Sequence, residues 1–234
     1  MKVSFYIIFF FSSLFGYRCI QESFNNRERP DLEESYLSES DHFIIHYDIE
    51  GNNAPIIIDN NNNNVPDYIE SVALIADESR DVLINIMNYL PEPNDGDGFY
   101  DIYIVNQSAW GWNIVENSNT GSSYIKIDND YNGNNFNSDF CTDNLDKMKI
   151  SVAHEFFHAI QRAYRPNPSN DHDFFLEMTS MWFEDVLIPD GNDYLDGWVD
   201  DLLDDPTADF DNTGSGYELA LFGHYLSSFL DPKG

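Results

Sequence analysis

Apolar positions along this chain gather into short periodic runs separated by long polar stretches, and the spacing within each run predicts its element. Val3 to Phe15 is an almost unbroken apolar run behind a single lysine. It has the length of a secretory signal core and is short for a membrane span, so residues 1–19 are read as a signal peptide, with an uncleaved anchor as the alternative. Residues 20–40 are polar and charged and have little to bury; they are read as a linker or short pro-segment. The folded domain is then expected over 41–234. Residues 41–49, 100–105 and 123–128 are rich in β-branched and aromatic side chains and predict strands. From Tyr68 to about Leu90, apolar residues including Ile69, Val72, Ala73, Ala76, Leu83 and Ile86 recur at three- and four-residue steps, which predicts an amphipathic helix. Residues 150–162 and 174–186 are apolar on nearly every side and predict two buried helices. The stretch 189–216 is acidic loop around a short helix near 195–203, and 217–230 predicts a last amphipathic helix. Strands followed by helices point to an α+β domain with a mostly antiparallel sheet ahead of the helix pair.

Composition narrows the function classes. The 234 residues suffice for one domain with a real core. With 42 acidic against 11 basic residues the formal charge is −31, which argues against nucleic acid or an anionic membrane as a partner. Removing the signal segment takes Cys19 with it and leaves Cys141, so a disulfide scaffold within one chain is excluded. A secreted or cell-surface monomer is expected, with no membrane attachment after signal cleavage.

The chemistry is concentrated in the first buried helix, which contains His154-Glu155-Phe-Phe-His158. Residues four apart lie on one helix face, so the two imidazoles can aim at a single point. Glu155 follows His154 by about 100°, beside that point. Two neutral imidazoles, an open coordination position and a carboxylate base next to bound water are what hydrolytic zinc requires. Histidines and a carboxylate on a buried helix must in any case be paired or metal-bound. The third ligand is not His at the metzincin position, because Gln161 and Tyr164 stand where that motif needs Gly and His. Glu177, on the next helix and separated from His158 by residues 159–176, is the first candidate. Glu184, His172 and Asp173 are weaker ones.

A second stretch has cation-binding spacing. In the twelve-residue EF-hand register, Asp59, Asn61, Asn63, Val65, Asp67 and Glu70 take positions 1, 3, 5, 7, 9 and 12. Position 6 is Asn64 rather than glycine, which the left-handed region tolerates. Calcium is the candidate ion. The competing reading is an asparagine loop leading into a helix. Asp95, Asp97 and Asp101 are a weaker cation group among ordinary turn formers, and His42 and His46 share a strand face. A zinc hydrolase also needs a donor facing the developing oxyanion; Tyr217, His224 and Tyr225 are the candidates.

The succession HFIIHYDIEG, DNNNNNVPDYIE, YDIYIV, SVAHEFFHAIQ and FFLEMTSMWFEDV resembles a family of bacterial secreted zinc metallopeptidases of the gluzincin group, over about residues 41–230. The resemblance implies a zincin-like fold, zinc on His154, His158 and Glu177, Glu155 as general base, and a protein or peptide substrate. By analogy with that group, residues 123–128 would be the edge strand that takes extended substrate. One departure stands out. The thermolysin-like branch carries an aspartate one turn after the ligand glutamate, and this chain has Met181 there. Support for a zinc histidine must then come from Ser180, Glu184 or Asp185. Two other readings compete with the endopeptidase: a zinc hydrolase of non-peptide bonds, and a non-catalytic, calcium-dependent surface or adhesion module with a degenerate or structural zinc site.

Overall fold

In the computed structural model, which describes residues 28–168, 173–196, 198–210 and 216–229, the chain begins with β1 (Glu34–Leu37) and β2 (Phe43–Tyr47). It continues through α1 (Asp67–Arg80), β3 (Tyr100–Val105), β4 (Gly111–Asn117) and β5 (Ser122–Asp128). Four helices follow: α2 (Asn144–Tyr164), α3 (Asp173–Leu187), α4 (Trp198–Asp204) and α5 (Ala220–Phe229). The signal segment and His172 lie outside the described residues. No helix among the described residues is long and apolar enough to cross a membrane.

The architecture is α+β, but the sheet is mixed rather than mostly antiparallel. Its order is β1-β2-β3-β5-β4. β1 and β4 pair antiparallel with their neighbours, whereas β2 with β3 and β3 with β5 run parallel. The first parallel pair follows from α1, which carries the chain from β2 across the sheet face to β3, as a parallel connection requires. The second follows from β4, which takes the edge and leaves its neighbour's place to β5. Residues 123–128 are therefore interior, and the edge strand on that side is β4, a strand that its Gly111-Trp-Asn sequence does not announce.

One face of the sheet packs on α1 and α2. Ile45, Ile102, Ile104, Ile125 and Ile127 point into this layer and are fully buried. Phe156 of α2 sits between Phe43 and Tyr100 with edge-to-face rings 5.1 and 5.6 Å apart. Such pairs add to a burial term of about 1.5–3 kcal/mol for the side chain. The helix that sequence periodicity extends from Tyr68 to Leu90 is α-helical only to Arg80. Over Asp81–Ile86 it widens to a π-helix, and Met87 N–H bonds five residues back to the Val82 carbonyl.

The opposite face is covered by the start of the described chain. Leu32 packs with Tyr103, Ile114 and Tyr124, and the Tyr124 hydroxyl donates to the Glu28 carbonyl at 3.2 Å. Arg29 reaches Asp95 at 2.5 Å, Asp101 at 2.6 Å and Glu116 at 2.6 Å. Residues 28–40, read from their polarity as linker, are thus built into the domain as β1 and a strap. The reason is that an arginine among carboxylates and one leucine on an aromatic patch need no apolar periodicity.

Candidate metal centre

α2 starts at an N-cap, Asp143, whose side chain accepts from the Leu145 N–H at 2.8 Å. Its middle is buried on all sides, including His154, Glu155 and His158. α3 packs along it and brings Glu177 against the histidine pair. Three candidate ligand atoms form a small triangle: His154 Nε2 to Glu177 Oε2 is 3.0 Å, His158 Nε2 to Glu177 Oε2 is 3.4 Å, and the two Nε2 atoms are 3.1 Å apart.

The outer ring nitrogens are held from behind. His154 Nδ1 lies 2.5 Å from Glu184 Oε1. His158 Nδ1 lies 2.8 Å from Gln161 Oε1 and 3.3 Å from Ser180 Oγ. The Gln161 amide nitrogen donates to the Leu176 carbonyl and to Thr179 Oγ1, both at 2.9 Å, which fixes its oxygen toward His158. A carboxylate and an amide oxygen can only accept, so each Nδ1 carries its proton and each Nε2 presents a lone pair. Burial by itself would push the Glu177 carboxyl up, but the His158 and His154 rings, when protonated on Nε2, outweigh it and hold it at about 2. Tetrahedral zinc with bonds of about 2.0–2.1 Å spaces its ligand atoms about 3.3 Å apart. The observed triangle has that size, and its donor set of two imidazoles and one carboxylate suits zinc. Among the described residues, three side chains of this group could ligate an ion.

Glu155, next to His154 on α2, faces the start of β4 at Gly111. It lines a small recess with Trp110, Ile150, Ser151, His154, Glu184 and Asp193. Of the three oxyanion candidates, one is beside the centre. Tyr217 is buried, with its ring edge-on to His154 at 6.1 Å. Gly216 places it: its left-handed φ of 95° brings the backbone against α3, where a Cβ would stand 2.3 Å from the Phe174 carbonyl oxygen. His224 instead pairs with Asp185 at 3.3 Å. Tyr225 is half exposed and stacks between Phe222 and Phe229. Neither is brought to the histidine pair.

The asparagine loop closes on Asp59 and Glu70. Asp59 Oδ1 accepts from the Asn62 and Asn63 N–H groups at 2.7 and 3.2 Å, and Oδ2 from Asn64 N–H at 2.8 Å. Glu70 turns both oxygens toward the loop, taking the side-chain amides of Asn61 at 2.9 Å and Asn63 at 2.7 Å. Asn62 and Asn64 are left-handed, with φ of 60° and 71°. Asp67 departs from the register, because it is drawn to the backbone N–H of Asn60 at 3.1 Å and to the Asn60 side-chain amide. The Val65 side chain packs against the core.

Two weaker sequence candidates resolve differently. Asp95, Asp97 and Asp101 do converge, but the guanidinium of Arg29 is bonded to two of them, Asp95 at 2.5 Å and Asp101 at 2.6 Å. His46 pairs with Asp101 at 2.7 Å and stacks on Tyr103, with ring centroids 4.4 Å apart, so it is a packed strand histidine. The chain matches no family model, no curated protein and no solved structure.

Residues with no motif of their own complete the surroundings. Asn113 of β4 donates to the Glu155 carbonyl at 3.1 Å and accepts from Arg162 Nε at 2.7 Å, which ties the edge strand to α2. Gln161 is placed by its i+3 relation to His158 and could have been read from the helix period alone.

Proposed function

We propose that this chain is a secreted, zinc-dependent endopeptidase of gluzincin type, with zinc held by His154, His158 and Glu177. The observation that carries the reading is the triangle of two Nε2 atoms and one carboxylate oxygen, 3.0–3.4 Å on a side, with both outer nitrogens held from behind. Lone pairs packed this closely in a buried site need a cation or shared protons between them. Zinc bound there would lower the pKa of a coordinated water towards ~7 and polarise a carbonyl.

The chain's own residues supply the rest. Glu155 takes the proton of the attacking water and returns it to the leaving amine. Tyr217, buried against His154, would be the residue that donates a hydrogen bond as charge builds on the scissile oxygen. β4 has no strand neighbour on its outer side among the described residues, and an extended peptide can pair there by strand addition. The Asp59–Glu70 loop takes calcium as a structural ion. A purely structural zinc site would be closed by four protein ligands, whereas this group has three candidates among the described residues.

The deciding experiment measures bound zinc and casein cleavage, with and without chelator, for the wild type and Glu155→Gln. Zinc at one per chain in both, with chelator-sensitive cleavage in the wild type alone, supports the reading. Zinc-loaded wild type that leaves casein and short peptides uncut favours the binding-module reading instead.

A further inference from the structure

Gly111 opens β4 directly opposite Glu155. A Cβ built on it would stand 2.6 Å from Glu155 Cγ and 2.9 Å from Glu155 Oε1. Its φ is outside the left-handed region, so the backbone does not by itself demand glycine there. What demands it is the space taken by the carboxylate arm.

The separation between strand and helix cannot absorb an added methyl, because two residues along the same strand face Asn113 bonds the Glu155 carbonyl at 3.1 Å and is itself held by Arg162 at 2.7 Å. Gly111 also pairs with Ile127 in the β4–β5 ladder. With both backbones fixed, the side chain that must give way is that of Glu155. We infer that Gly111 is a positioning residue whose missing side chain sets the conformation, and so the reach, of the Glu155 carboxylate toward the metal centre. The inference rests on the hydrolase reading only for its catalytic consequence; the contact itself is independent of it.

The test compares the zinc-loaded wild type with Gly111→Ala, Glu155→Ala and the double variant. Gly111→Ala should keep one zinc per chain, because His154, His158 and Glu177 are untouched. It should lower kcat about 100-fold, the effect of roughly 1 Å of misplacement, with KM little changed. The thermal midpoints give a readout independent of catalysis. Alanine at 111 should lower the midpoint in the wild type and leave it equal or higher once the Glu155 side chain is gone. Should Gly111→Ala alone fail to fold, recovery of folded protein in the double variant sustains the inference, and no recovery overturns it. Full kcat in Gly111→Ala, or the same fall in midpoint in both backgrounds, also overturns it. A wild type that cleaves nothing sinks the hydrolase reading, and the stability cycle then still decides whether the two residues meet as described.

Discussion

Glu184 Oε1 lies 2.5 Å from His154 Nδ1, seven residues beyond the glutamate that faces the same ring from its other side. The imidazole is thus clamped between two carboxylates of one helix, Glu177 on Nε2 and Glu184 on Nδ1. Two turns of α3 span the ring, where the thermolysin-like arrangement uses one. Partners behind a metal-binding histidine fix its tautomer and raise its basicity. Glu184→Ala should therefore weaken zinc binding about 10–100-fold, and Glu184→Gln should weaken it less because an amide oxygen still accepts. Competition against a chromogenic chelator reads both. Unchanged affinity in a folded Glu184→Ala protein contradicts this account.

The loop from Asp59 to Glu70 should report calcium through stability. An ion that binds the folded form alone at 100 times its Kd contributes about 2.7 kcal/mol, which for a chain of this size raises Tm by about 5–10 °C. Millimolar calcium should produce that rise in the wild type and little in Glu70→Gln, since Glu70 faces Asn61 and Asn63 with both oxygens. Magnesium at the same concentration serves as the control. Equal responses to the two ions, or an unchanged response in the variant, would place the ion elsewhere.

Arg29 is bonded to three acids, and its side chain is 30% exposed. Arg29→Ala leaves Asp95, Asp101 and Glu116 facing one another. Discounted for solvent screening, the loss is about 1–2 kcal/mol. Urea unfolding should show it, and added salt should restore part of it by damping the repulsion among the acids. A deletion ending at residue 37 should cost more, because it also strips β1 from the sheet and Leu32 from the aromatic patch. A deletion that unfolds at the wild-type urea midpoint would return residues 28–37 to the status of a linker.

Alkaline stability should follow the buried tyrosines. Burial, together with Asp101, pushes the Tyr103 phenol up to about 12, and burial raises Tyr68, Tyr100 and Tyr131 as well. A phenol whose folded pKa lies above its unfolded value of about 10 favours the folded state. That contribution is fully present below pH 10 and is lost as pH rises through the folded value. Part of the phenolate absorbance should therefore appear in one cooperative step above pH 10, together with loss of the far-ultraviolet helix signal. Titration of every tyrosine near pH 10 with the helix signal intact rules out this coupling.

How much of this was legible in the sequence varied with the range of the interaction. α2 and α3 read well because their chemistry is periodic: the i, i+4 histidines must share a face, and apolar neighbours bury them. The strands at 43–47, 100–105 and 122–128 also read from local composition. The direction in which they pair did not, since a parallel neighbour depends on where the chain returns after α1 and after β4. β4 itself was missed because its inner face carries Gly111 and Asn113, chosen for their contacts with α2 rather than for strand propensity. The strap around Arg29 was missed for a related reason. Its partners are 66, 72 and 87 residues away, and no local window contains them. Asn64 takes the left-handed conformation that its residue type allows, while the diversion of Asp67 to Asn60 depends on a hydrogen bond that spacing alone cannot reveal.

Truncation from the front is limited by that same arginine. A shortened polypeptide that began after residue 29 would lose the counter-ion that lets Asp95, Asp101 and Glu116 approach one another. In a chain with 11 basic residues against 42 acidic ones, few other cations could take its place.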